Sequence, residues 1–227
     1  METLLVFVLG LVIRLLLFVL LFALFAMPIV AVVYLAHGAV VLHRRAAGTV
    51  DAGGAHWKPG LAYTAAHTWV KNLWGRNVKV GLDDVARRIL SGVSSLTLPA
   101  VGTKLRRGDL LVAVRCGERI VAIPSPVDGI VLERNRSLMS EPALFEHEPY
   151  GGGWMLRIET DEHVTAEGYR GSASKTWLRE ENVRLTHFLE ARLGMAAADG
   201  GTLTAPPSVL LSEAAWREAA QSFLRAA

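Results

Sequence analysis

Cysteine is almost missing from this chain: of 227 residues one is cysteine, Cys116. That excludes an internal disulfide framework and any cysteine-based zinc site, and it fits a reducing compartment. Charge is missing from one long stretch, since between Leu4 and Leu42 the only formally charged residue is Arg14. Lysine is missing between Lys104 and Lys175. The net charge of +3 is spread through the remaining sequence with no array of Arg or Lys interleaved with aromatics, so nucleic acid is not an expected partner. There is no Ser-His-Asp arrangement, phosphate loop or paired carboxylate in a recognisable context. His67 has no carboxylate or histidine at ligand spacing. The sequence therefore predicts a non-catalytic chain with no metal and no cofactor.

What is present in excess is apolar residues, 52% of the chain, concentrated at the N-terminal end. A helix through Leu4 to Leu42 would be about 58 Å long at ~1.5 Å per residue, roughly twice the ~30 Å hydrocarbon core of a bilayer. A span over Leu4 to Leu24 would centre Arg14 in lipid, at a cost of about 2.5 to 3.5 kcal/mol. A span over about Leu15 to His37 leaves Arg14 at the boundary, where its guanidinium can reach the headgroups. The second placement is preferred, with Glu2 to Ile13 as a non-spanning or protruding helix, a mild kink at Pro28 and Tyr34 as an interfacial anchor. Two helices folded back at Pro28 form the alternative. A cleaved signal peptide is disfavoured, because no positive charge precedes the apolar run and the run exceeds the usual ~7–15 residues. Arg44, Arg45 and Lys58 follow the span while Glu2 precedes it, which predicts a single-pass anchor over 1–45 in the cytoplasmic membrane with the folded domain in the cytoplasm. Membrane lipid and other membrane-protein subunits are the expected partners, contacted by Arg14, Arg44 and Arg45. Residues 46–60, rich in Gly and Ala, read as a linker.

The remaining chain is organised around Leu111 to Gly129. Leu111 to Val114 and Ile120 to Ile123 are β-prone runs separated by the turn Cys116-Gly117-Glu118-Arg119; Pro124 and Pro126 end the second run, and Asp128-Gly129 turns into Val131 to Asn135. Further strands are expected over Tyr63 to Val70, Val78 to Val80, Ser94 to Leu98 and Trp154 to Ile158, with short helical segments at Leu82 to Leu90 and Ser140 to His147. The basic turn Lys104-Leu105-Arg106-Arg107 is a candidate for contact with anionic headgroups. His67, Trp69, Tyr150 and Trp154 read as core of a small β fold rather than as ligands. Beyond Glu159, Leu178, Leu185, Phe188, Leu189 and Leu193 form one stripe of an amphipathic helix over Ser174 to Leu193, ended by Gly194. Ser212 caps a last helix in which Trp216, Phe223 and Leu224 share a face.

Strand, tight turn, strand, Pro and Asp-Gly resembles the centre of a lipoyl-type domain, and the flanks narrow the resemblance to the H-protein of the glycine cleavage system. His67-Thr68-Trp69-Val70 resembles that family's His-Glu-Trp-Val, Gly81-Leu82-Asp83-Asp84-Val85-Ala86 its Gly-Ile-Thr-Asp-His-Ala, and Leu96-Thr97-Leu98-Pro99-Ala100-Val101-Gly102 its Val-Glu-Leu-Pro-Glu-Val-Gly. Glu148-Pro149-Tyr150-Gly151-Gly152-Gly153-Trp154 is similar to Asp-Pro-Tyr-Gly-Glu-Gly-Trp. The resemblance covers Leu61 to Glu159 and implies a mainly-β, lipoyl-like barrel-sandwich hybrid domain over 61–165, here joined to an N-terminal transmembrane helix and a C-terminal helical extension over 166–227.

The resemblance also implies a lysine at the hairpin tip that carries lipoate through an amide. Counting back from Pro126, that position is Glu118, which is read as a degenerate lipoyl position with Cys116 beside it. An attached thiol cofactor at Cys116 is conceivable, although a small strand-end residue is the simpler reading. The expected function is a non-catalytic, membrane-anchored structural or docking subunit of a larger membrane complex, of which a photosynthetic or respiratory electron-transfer complex is one kind. A lipoyl carrier of glycine-cleavage type, acylated elsewhere, is the alternative. A periplasmic adaptor of membrane-fusion type is a further one, disfavoured because no long heptad segment interrupts the hairpin.

Overall fold

The computed structural model describes residues 1–46, 49–161, 168–194 and 205–225, and separates into two compact units, Met1–Ala47 and Gly48–Ala227. The first unit is a single helix, α1, Glu2–Ala46. It runs as one helix through Pro28. Among the described residues, Phe7–Pro28, a stretch that includes Arg14, is long and apolar enough to cross a bilayer by length and composition.

The second unit begins with the short strands β1 (Val50–Asp51) and β2 (His56–Trp57), paired antiparallel. β3 (Ala62–Tyr63), β4 (Thr68–Asn72), β5 (Asn77–Leu82), helix α2 (Asp84–Ile89), β6 (Val93–Thr97), β7 (Lys104–Leu105), β8 (Leu110–Cys116), β9 (Arg119–Pro124) and β10 (Gly129–Arg134) follow. After the short helices α3 (Arg136–Ser140) and α4 (Ala143–His147), β11 (Leu156–Glu159) completes the strands, and helices α5 (Gly171–Leu193), α6 (Pro207–Leu210) and α7 (Glu213–Leu224) close the described chain. Six strands form one sheet in the order β3-β4-β5-β11-β10-β7, and three form another in the order β6-β8-β9.

Period-2 patterning accounts for the stacking of these sheets. Val78 and Val80 on β5, Leu156 and Ile158 on β11 and Val131 on β10 point inward and are buried with Val112 and Val114 of β8 and Val121 and Ile123 of β9 in one apolar cluster. Lys71, Lys79 and Arg157, one residue out of phase, face outward. The β4–β5 pair is pinned by Trp69, whose indole Nε1 donates to the carbonyls of Leu82 (2.9 Å) and Pro149 (3.1 Å). Its ring lies across Gly81, where a Cβ would meet the ring at 2.5 Å, so only glycine fits there.

Of the segment expected as a linker over 46–60, Ala46 ends α1, 47–48 lie outside the described residues, and 49–60 belong to the folded unit. Ala52 and Ala55 are buried, the Trp57 indole donates to Ser174 Oγ on α5 (2.9 Å), and the Asn182 side chain of α5 donates to the Gly53 carbonyl (2.8 Å). The Gly and Ala content that suggested flexibility instead allows the β1–β2 turn to approach the helix, since a Cβ on Gly53 would lie 2.8 Å from Arg179. The expected caps are present, one at each kind of helix end: Gly194 is left-handed at the end of α5, and Ser212 Oγ accepts from the Ala215 amide at the start of α7 (3.2 Å).

Candidate functional site

β8 and β9 pair along their length from Leu110 opposite Pro124 to Cys116 opposite Arg119, leaving Gly117 and Glu118 as a two-residue turn. Gly117 has φ +61 and Glu118 does not adopt a positive φ, the pattern of a type II′ turn with glycine at its first central position. The turn places the Glu118 carboxylate at an exposed tip, with Arg115 exposed beside it and Ile120 turned outward.

The other tip residues face inward. Cys116 is 2% exposed, its thiol directed at the Leu90 carbonyl (3.4 Å), and burial followed by the nearby Glu146 charge pushes the thiol up to about 12. A thiol so placed is shielded from solvent and held in its protonated form. Arg119 reaches away from the tip: its guanidinium donates to the Leu211 carbonyl (2.8 Å), lies 5.3 Å from the Trp216 ring centroid and approaches Glu213 at 3.5 Å. The hairpin end is thereby fastened to α7 and to Leu211 at the end of α6.

The basic turn after β7 is shaped by two aspartates. Asp109 accepts from the Arg106 amide (2.7 Å), and Asp128 accepts from the Arg107 amide. Lys104, Arg106 and Arg107 are exposed with these carboxylates among them. Arg14 is exposed on α1, whereas the side chains of Arg44 and Arg45 lie outside the described residues.

A constellation missed by sequence reasoning surrounds His67. This residue is fully buried and has φ +54, uncommon for a residue with a Cβ. Its Nδ1 lies 2.8 Å from Asp83 Oδ2 and its Nε2 3.3 Å from Glu181 Oε2. Burial alone would push the imidazole down; the Asp83 charge and hydrogen bond, joined by those of Glu181, outweigh it and raise the ring to about 9. Glu181 is held to about 2, because the hydrogen bonds from His67 and Arg184 outweigh its own burial. His67 is therefore an imidazolium that donates to both carboxylates. Its ring stacks on Trp177 (centroids 5.0 Å), which stacks on Tyr169 (4.5 Å).

Neither carboxylate stands at ligand spacing from His67 in the sequence: the partners are 16 and 114 residues away and meet it only in the fold. Asp83 also caps the start of α2, its Oδ1 accepting from the amides of Val85 and Ala86. His67 is fully buried, and through Asp83 and Glu181 it joins the start of β4 to the N-cap of α2 and to α5. Among the described residues no group of His, Cys, Asp and Glu could hold a metal ion.

The order of these features, from the Trp69 strand pair through the β8–β9 hairpin to the Tyr150 and Trp154 turn, is matched by one family description, "Glycine cleavage H-protein", over residues 61–176. The chain belongs to the glycine cleavage H-protein family. Its relatives include the glycine cleavage system H protein of Coprothermobacter proteolyticus, 35% identical over 117 residues, which are 49% of this chain and 92% of the relative. The protein of the same name from Thermoanaerobacter pseudethanolicus is 36% identical over 117 residues, 49% of this chain and 91% of the relative. A solved H-protein structure from Mycobacterium marinum aligns with 57% of this chain and 99% of its own, at 23% identity and a TM-score of 0.47.

The H-protein match stops at residue 176. Beyond it lie Trp177, Glu181, Leu211, Glu213 and Trp216. Both buried His67 and the hairpin residue Arg119 therefore hold onto parts of the chain that the family description does not include.

Proposed function

We propose that this H-protein domain has given up the lipoyl arm of its family and serves as a membrane-anchored docking or structural subunit of a larger membrane assembly. The observation that carries this reading is the side chain at the β8–β9 turn. The position that the family resemblance assigns to the lipoyl lysine holds Glu118, and a carboxylate cannot form the amide that links lipoate to an amine. No lysine occurs elsewhere between Lys104 and Lys175 to take over, and the chain's one thiol is buried. The fold kept without its arm is a shape for recognition alone. The 22-residue apolar stretch in α1 supports a bilayer tether by its length and composition, and the cytoplasmic orientation of the domain follows from Arg44 and Arg45 beyond it.

Intact-mass measurement of the full chain extracted from its native membrane tests the first half of the reading. The mass of the unmodified polypeptide is expected, and an added lipoyl group would restore the carrier reading instead. Extraction in mild detergent tests the second half: other membrane subunits are expected to co-purify, and recovery of the chain only as a monomer would reject the docking role.

A further inference from the structure

The outer face of the six-stranded sheet carries a row of like charges that the fold itself does not need. Cross-strand register sets Lys71 opposite Lys79, Lys79 opposite Arg157 and Arg157 opposite Glu133, all on the side away from the core. Directly opposed like charges destabilise a strand pair. Among the described residues neither Lys71 nor Lys79 has a carboxylate partner; Lys79 lies instead over the Trp154 ring, 4.4 Å from its centroid. Lys58 adds a fourth cation close by, its ammonium held below the usual lysine range by burial and then by the Lys71 charge. The acids of this region are Glu133, 3.3 Å from Arg157, Glu159 in β11, and Asp161, which pairs with Arg76.

At the end of the same β4–β5 pair the four-residue turn Leu73–Arg76 raises Trp74 to 96% exposure. Its carbonyl accepts from the Asn77 side chain, which fixes the turn while leaving the indole without support. A tryptophan is the side chain whose apolar body and polar N–H suit the boundary between lipid and water.

We infer that the Lys71–Lys79–Arg157 face, led by Trp74, lies on an anionic lipid surface, with the indole entering the headgroup layer and the cations facing lipid phosphates. This rests on reading α1 as a bilayer tether. A flat cationic sheet face with one projecting indole complements a negatively charged plane, and neutralisation by lipid phosphate removes the repulsion between Lys71 and Lys79. The face is distinct from the Lys104–Arg107 turn, whose arginine amides are held by Asp109 and Asp128.

The experiment uses the full chain reconstituted into vesicles of phosphatidylcholine alone, or of phosphatidylcholine mixed with phosphatidylglycerol, each with a brominated acyl chain that quenches indole fluorescence on contact. The quenching lost on Trp74→Phe isolates the contribution of that residue. It is expected in the anionic vesicles, strongly reduced in the neutral ones, and diminished by added salt. Lys71→Glu changes the face by two charges, so the docked-to-undocked ratio should fall about 25-fold, at about fivefold per charge. The same substitution creates a Glu–Lys79 pair and should raise the thermal midpoint, so weaker docking cannot be ascribed to a damaged fold. Flotation separates the two layers of the argument. A chain that floats with vesicles while Trp74 stays unquenched in both compositions overturns the docking face and leaves the tether standing; a chain that does not float overturns both. Quenching unchanged by Lys71→Glu also overturns the proposal, as does loss of a co-purifying acidic protein on Lys71→Glu without any change in quenching.

Discussion

The imidazole of His67 and the carboxylate of Asp83 meet at 2.8 Å with both side chains wholly withdrawn from solvent. Such a pair persists only if each charge is compensated, since a buried ion without a partner costs several kcal/mol. Glu181 supplies the second compensating contact from a helix distant in sequence. The cost of burying the ions is offset by joining α5 to the β4–β5 end of the sheet.

A pH dependence follows. The value of about 9 for His67 in the fold lies above its ordinary 6.5, so its contribution to stability is complete below about 6.5 and is lost as pH rises through 9. Cys116, raised from 9.0 to about 12, withdraws its contribution only above about 9, and Tyr63 and Tyr150, both pushed above the tyrosine range, only above about 10. His56 approaches Asp84 at 3.5 Å, so a decline between 6.5 and 9 is assigned to His67 by comparison with a variant. Thermal unfolding of the full chain in detergent is expected to show the midpoint declining across this interval. In His67→Gln the decline should be smaller and the protein at pH 6 less stable by about 3 kcal/mol. A decline of equal size in the variant would place its origin elsewhere.

On the acid side the sign reverses. Glu181 and Asp84 are each lowered to about 2, from 4.5 and 3.8, so their contributions are present above those ordinary values and are lost as pH falls toward 2. For Asp84 the hydrogen bonds from His56 and Arg87 outweigh its burial. Glu181→Gln should shallow the acid limb below pH 4.5 while leaving the sheet intact by circular dichroism. An unchanged acid limb would show that the contact with His67 contributes nothing.

Gly81→Ala forces a methyl group into the Trp69 ring and is expected to destabilise by about 1 to 3 kcal/mol, as overpacking does. The emission of the protein should shift as the indole loses its bonds to Leu82 and Pro149. Wild-type stability and emission together would disprove the close packing of ring on backbone.

Arg119→Ala removes the hydrogen bond to Leu211 and the contact with Trp216, and should release the hairpin tip from α7 at a cost of about 1 to 2 kcal/mol. Hydrogen exchange is the measurement: faster exchange is expected both in residues 116–119 and in 211–216. Acceleration in only one of these segments would mean that the two are not mechanically joined.

Glu118→Lys places an amine at the tip of the turn, yet incomplete lipoylation is expected when a standard lipoate ligase is supplied, measured as the modified fraction by intact mass. Arg115 and Arg119 flank the position, where the family has Glu and Ala, and Arg119 is already engaged by Leu211. Complete modification would show that one residue separates this chain from a carrier.

The hairpin and the stripe of α5 were readable because each rests on residues close in sequence: a Gly-containing turn between β-prone runs, leucines at helical spacing. The His67 cluster and the grip of Arg119 on Leu211 were not, because their partners come together only once the last helices pack. Residues 46–60 misled for a related reason. Small residues that permit flexibility also permit close approach, and only the presence of Arg179 and Asn182 against Gly53 decides between them.

The inward position of Cys116 turns the chain's lone thiol into a timer. A small alkylating reagent present in excess can react only while β8 has parted from Leu90, so the rate at which label accumulates counts openings of the domain interior. Followed with and without membranes, or with and without partner subunits, that rate reports how firmly the folded unit is held by its surroundings.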